Sequence, residues 1–241
     1  MVAVVVGLFI GAVGVGGVLL IPFLAILGGL GIHAAAATAL FTFLFTGLFG
    51  TWLFARRGSV SWRLTLPVCS GALLFGYLGS VVAARIPARA LAITIAAIIV
   101  AAGIYVFVPP RGGLRAPRDG ESRGDRAMLV TVGAAAGFGS GLSGAGGPLF
   151  SVPLMVIAGF APLAAVGASQ VLQIIASVSG SLAAIQDARI DFALAAWVTG
   201  FELVGVAGGV RLAHAVSPSA LRRVAGALCI TVGIFMLMRA L

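Results

Sequence analysis

Apolar residues run along this chain in long blocks and do not alternate with polar ones. The blocks cover about 1–13, 18–30, 33–55, 64–84, 90–108, 127–142, 148–160, 162–185, 192–213 and 219–238. A helix needs roughly 20 apolar residues to cross a bilayer core. Most blocks are that long, whereas 1–13, 18–30 and 148–160 are too short to span. Glycine clusters lie beside the short blocks. The pattern predicts an all-α, polytopic membrane protein of about seven or eight hydrophobic helices. It also predicts that helices broken at glycine open each half of the chain.

The two halves resemble each other at an offset of 130 residues. Gly14-Val15-Gly16-Gly17 aligns with Gly144-Ala145-Gly146-Gly147, and Pro22 with Pro153 after one extra residue. The stretch Arg57–Trp62 falls on Asp187–Phe192, Gly79 on Gly209 and Leu91 on Leu221. This register predicts two internal repeats, residues 1–108 and 127–241, joined by an arginine-rich polar linker, 109–126. Such repeats characterise transporter folds.

Composition removes several function classes. Of 241 residues 61% are hydrophobic and 9% charged, and mean hydropathy is +1.20. Soluble domains carry about a quarter charged residues, so a soluble enzyme and a disordered chain are excluded. The net charge of +9 comes from fifteen arginines against six acids. The arginines cluster between apolar blocks, as in cytoplasmic loops of membrane proteins, and not in a nucleic-acid-binding face. With the linker inside and each broken segment treated as a hairpin, eleven arginines lie inside and four outside. Treating each broken segment as one crossing gives ten and five. The positive-inside rule therefore leans towards inverted repeats. The opening MVAVVVGLFIG has no basic n-region and no cleavage site, so no cleavable signal is expected. Cys69 and Cys229 lie within apolar blocks and read as buried thiols, not a disulfide.

The glycine clusters carry the main chemical signal. Gly137, Gly139, Gly141, Gly144, Gly146 and Gly147 crowd eleven residues, and Pro148 follows at what suits the first turn of a new helix. Gly14, Gly16 and Gly17 should break the first half likewise. A broken helix frees backbone N–H groups, tolerated in a bilayer only against protein or a watery cavity. Two such ends could bind an anion without a buried arginine. Close helix packing is the competing explanation. Ser143, Ser169, Gln170 and Gln173 could add side-chain donors, and Ser177 and Ser181 continue the polar stripe of Ser169 and Gln173. Thr38, Thr42 and Thr46 form a second stripe, which interhelical hydrogen bonding would equally explain. Glu202, the acid deepest in an apolar block, is a candidate carrier of a coupling proton, or a partner of Arg211. His33 and His214 read as interfacial residues, and Trp52 and Trp62 as anchors beside Arg56 and Arg57.

Other chemistries find little support. Gly141-Leu142-Ser143-Gly144 matches the G-x-S-G of rhomboid-type intramembrane proteases, but a nucleophilic serine needs a nearby base. The repeat counterpart of Ser143 is Val13, so the cluster recurs without the serine. No metal ligand set and no Walker lysine are present, and no cofactor is expected.

The segments GLFIGAVGVGGVLLIPFLAILGG and GFGSGLSGAGGPLFSVPLMVIAGFAPLAAVGAS, each followed by a long helix and a short loop (GSVSW or ARIDF), resemble the TauE/SafE sulfite exporter family. The resemblance spans nearly the whole chain. It implies a multi-pass plasma-membrane permease, not an enzyme, that moves small sulfur-containing oxyanions (sulfite, sulfonates or related organic anions) with protons as coupling ion. A passive anion channel of the same fold is the alternative. The expected partners are the small anionic substrate, the lipid bilayer and a second copy in a homodimer. No nucleic acid is expected.

Overall fold

The computed structural model describes residues 2–14, 16–107, 118–186, 190–215 and 218–240. Asp187, Arg189 and most of the linker lie outside these residues, as do the side chains of His214 and Cys229. The described residues form helices joined by short turns, with no strand. In order they form α1 (Val2–Val13), a 3-10 turn (Gly16–Leu19), α2 (Leu20–Ile26), α3 (Ile32–Arg56), α4 (Trp62–Arg85) and α5 (Ala88–Phe107). There follow α6 (Arg123–Ser143), α7 (Pro148–Ile157), α8 (Pro162–Gln186), α9 (Phe192–Ala215) and α10 (Pro218–Ala240). Among the described residues this exceeds the seven or eight helices expected, because the glycine breaks separate α1 from the short α2 and α6 from the short α7. Four helices among the described residues, α3, α4, α8 and α9, are long and apolar enough to cross a membrane.

Local sequence sets the boundaries. Ser122 accepts the Asp125 N–H at 3.0 Å and caps α6, so the last residues of the expected linker are already helical. Asp191 accepts the Leu194 N–H at 2.9 Å and starts α9. Pro148, Pro162 and Pro218 each stand first in a helix, where the missing N–H costs nothing. The starts of α3 and α8, of α4 and α9, and of α5 and α10 are each 130 residues apart.

Glycines set how the helices pack. Gly133, Gly137 and Gly141 of α6 leave no room for a Cβ against the α4 backbone at Val68, Ala72 and Gly76. Gly7 and Gly11 of α1 do the same against Glu202 and Val206 of α9. In both pairs residue numbers rise together, so each pair runs parallel. In the α3–α8 pair they run oppositely: Leu40 meets Gly180, and Gln170 meets Gly50. Thus α3 and α8 are antiparallel. Thr38 meets Asp191 and Arg57 meets Val210, so α9, and with it α1, points the same way as α3. In turn α4 meets α8 in parallel, through Gly76 with Ala176 and Ser80 with Gly180, so α6 points the same way as α8. The short α2 between α1 and α3 must therefore run back, and α1–α2 is a hairpin. The same argument makes α6–α7 a hairpin from the opposite face.

One face carries the linker end. There Arg63 pairs with Glu121, Arg118 pairs with Asp125 at 2.9 Å, and Arg57 donates to the Val210 carbonyl at 2.7 Å. Trp52, with Arg56 4.2 Å above its ring, and Trp62 are exposed beside it, as interfacial anchors should be. The other face carries His33, Ile86 and Asp191. Cys69 is a free, half-buried thiol.

Candidate functional site

Each break is built by glycines in conformations that other residues resist. Gly144 ends α6 with φ 69° and Gly146 follows at φ 85°; Gly14 ends α1 with φ 79°. Left-handed backbone costs an L-residue about 1–2 kcal/mol. Pro148 then opens α7. The glycine cluster is thus two devices in one run. Gly137 and Gly141 pack α6 on α4, while Gly144 and Gly146 turn the chain.

The two breaks meet. A Cβ on Gly14 would stand 3.0 Å from Pro148 Cβ and 3.8 Å from Ser169 Oγ. A Cβ on Gly17 would stand 2.7 Å from the Ala145 carbonyl oxygen. Gly147 abuts Leu172 and the Gln173 backbone on α8. The hairpin tips therefore touch, although they arise from opposite faces. Among the described residues no acceptor pairs with the N–H groups of Gly146, Gly147 and Leu149, nor with those of Gly16 and Gly17. Buried N–H groups are almost always paired, so this cluster of donors suits an anionic guest.

The polar side chains divide into engaged and free. Ser143 Oγ donates to Gly139 O at 2.6 Å and accepts from Ala145 N at 3.2 Å; it holds the break together. His33 bonds the Ile86 carbonyl at 3.0 Å instead of reaching Ser143. Ser169 Oγ donates to Val166 O at 2.7 Å. Gln173 Nε2 donates to Phe43 O at 3.0 Å and Thr46 Oγ1 at 2.9 Å. Thr38 Oγ1 accepts the Asp191 N–H at 3.1 Å. Interhelical bonding thus accounts for Thr38 and Thr46. Gln170 is fully buried, and both its amide atoms lack a partner among the described residues. So do the hydroxyls of Ser177 and Ser181.

Glu202 is also fully buried. Its carboxylate faces the Thr42 hydroxyl without a hydrogen bond of normal length and angle. Arg211, the alternative partner expected from sequence, is exposed. Glu202 sits on α9 where that helix packs against Gly7 of α1, the first helix of the first hairpin.

A cleft of about 710 Å³ opens on the face opposite the linker, lined by Gly31, His33, Ala84, Ala88 and Asp191. His33 also lines a second cavity of about 30 Å³ with Ala36, Leu40, Ser80 and Gly141. That is room for about one water. Ala36 abuts Gly144, so the two cavities lead inward to the second break. Sequence alone gave His33 only an interfacial role, and Phe43 none. The signal for Phe43, an aromatic residue aligned with Gln173 across the halves, was available but was masked by the apolar block around it.

A family model described as sulfite exporter TauE/SafE matches residues 1–236. No curated protein and no solved structure matches the chain.

Proposed function

Because the chain belongs to the TauE/SafE sulfite exporter family, a family of multi-pass membrane transporters, we propose that it is a plasma-membrane permease for small sulfur oxyanions such as sulfite. The observation that carries this reading is the meeting of the two helix breaks with their unpaired N–H groups. Partial positive charge at broken helix ends suits an anion near the midplane of a transporter. Gly14, Gly16, Gly17, Gly144, Gly146 and Gly147 shape the site. Gln170 supplies an amide that is not engaged among the described residues, Gln173 holds the Phe43 segment in place, and Ser143 and Ser169 hold the backbone around it.

We further infer that residues 1–108 and 127–241 are inverted repeats. Supporting this, α3 and α8, at equivalent positions, run antiparallel. Their contacts also exchange between halves: Gly7 with Glu202 mirrors Gly137 with Ala72, and Gly209 with Leu8 mirrors Gly79 with Phe138. The halves differ in openness. Ala37 lines the inner cavity, while its counterpart Gly167 is shut against the Ser59 carbonyl. Rocking one half against the other would exchange these states and move the anion across. Glu202, on the helix that clasps the first hairpin, is the group we assign to proton coupling.

The test is uptake of labelled sulfite into proteoliposomes with an imposed pH gradient. Accumulation in wild type and its loss in a folded Gly146→Leu variant support the reading. Equilibration without accumulation would make the protein a channel or uniporter, and retained transport in Gly146→Leu would remove the breaks from the site.

A further inference from the structure

The breaks are bridged by one aromatic side chain. Phe43 on α3 is buried, at 1% exposure. A Cβ on Gly17 would lie 2.7 Å from Phe43 Cζ, and one on Gly146 would lie 3.2 Å from Phe43 Cδ2. The ring therefore touches a glycine of each break. The N–H groups of these two glycines, Gly17 and Gly146, have no acceptor among the described residues.

The ring stands one turn beyond the inner end of the cavity. The inner cavity runs from His33 to Leu40 along α3, and Phe43 follows Leu40 by one turn. Its backbone is pinned, because Gln173 Nε2 donates to the Phe43 carbonyl at 3.0 Å. The equivalent position in the other half is Gln173 itself, so the aromatic wall stands on one side only and an amide on the other. Both glycines that the ring touches lack the side chains that would displace it.

We propose that Phe43 is the size-limiting residue of the anion site, admitting a compact oxyanion of sulfite size and excluding sulfonates that carry a carbon tail. This rests on the reading of the breaks as the anion site. A compact anion can reach the N–H groups beside the ring, whereas a tail attached to sulfur must occupy the ring's own volume. Discrimination by such an apolar wall is modest per carbon, about tenfold or more.

Sulfite and ethanesulfonate fluxes in proteoliposomes, measured for wild type, Phe43→Ala, Phe43→Leu and Phe43→Trp, test the proposal. Wild type should carry sulfite and discriminate against ethanesulfonate. Phe43→Ala should raise the ethanesulfonate-to-sulfite flux ratio by about tenfold or more, with Phe43→Leu intermediate. Phe43→Trp should slow sulfite itself. Should Phe43→Ala fail to fold, Phe43→Leu, which keeps most of the volume, carries the comparison. An unchanged ratio in folded variants, with wild type still carrying sulfite, overturns the role of Phe43 and leaves the anion site standing. Absence of flux of either anion in folded wild type overturns both.

Discussion

Gln173 and Phe43 lie 130 residues apart in sequence, and the Gln173 Nε2 amide donates to the Phe43 carbonyl at 3.0 Å. The same nitrogen reaches Thr46 Oγ1 at 2.9 Å. This bond joins α3 and α8 where their directions oppose, beside both glycine breaks. Replacing Gln173 with leucine keeps the bulk and removes both bonds. The loss should be about 1 kcal/mol of stability, read as a small drop in the detergent melting temperature. The drop in sulfite flux should be larger, because the pinned segment positions the Phe43 ring. Equal, small losses in both would reduce Gln173 to a packing residue.

Interlocking of the hairpins with the opposite half gives a second prediction. Gly133 has no space for a Cβ against the Val68 backbone, whereas nothing lies within 4 Å of a Cβ on Gly200. Overpacking costs about 1–3 kcal/mol. Gly133→Leu should lower thermal stability clearly, while Gly200→Leu should leave it unchanged. Thermal unfolding followed by size-exclusion chromatography distinguishes them. Similar stability for the two variants would contradict the close approach of α6 and α4.

Glu202 gives a third. An intramembrane carboxylate without an ionic partner must gain and lose a proton if it is to drive transport. Glu202→Gln preserves shape and removes that capacity. The variant should exchange labelled sulfite across the membrane at equilibrium but fail to accumulate it under a pH gradient. Unimpaired accumulation would place the coupling elsewhere.

The cleft gives a fourth. With Cys69 and Cys229 replaced by serine, Ala84→Cys should react with a membrane-impermeant thiol reagent from the face opposite the linker, since Ala84 lines the open cleft. Conditions that turn the carrier to its other state should slow that labelling several-fold. Labelling that never varies would argue for a fixed channel.

Much of the fold was legible in the sequence because its two signals are local. Apolar blocks gave the helices nearly to the residue, as with the block 162–185 and α8 (Pro162–Gln186). Glycine and proline placed the second break between Ser143 and Pro148, where α6 ends and α7 begins. Long-range matters were less legible. The glycine run 137–147 mixes packing with chain reversal, and only the backbone angles separate Gly137 from Gly144. Ser143 looked like a free donor, yet its hydroxyl is committed to Gly139. Phe43 looked like one apolar residue among many in its block. What distinguishes it is the arrival of Gly17 and Gly146 from opposite hairpins, which no local pattern encodes.

The central claim is that the two breaks form one anion site. Its most direct measurement is the sulfite affinity of purified protein by calorimetry, for wild type and for Gly17→Ala and Gly146→Ala. Each substitution adds one methyl group to a different half, beside the Phe43 ring and the unpaired N–H groups. If the site is shared, each alone should weaken sulfite binding by about tenfold or more, equivalent to about 1.4 kcal/mol, in protein that remains folded. Wild-type affinity in either variant would mean that its break lies outside the site, and the shared-site account would be wrong.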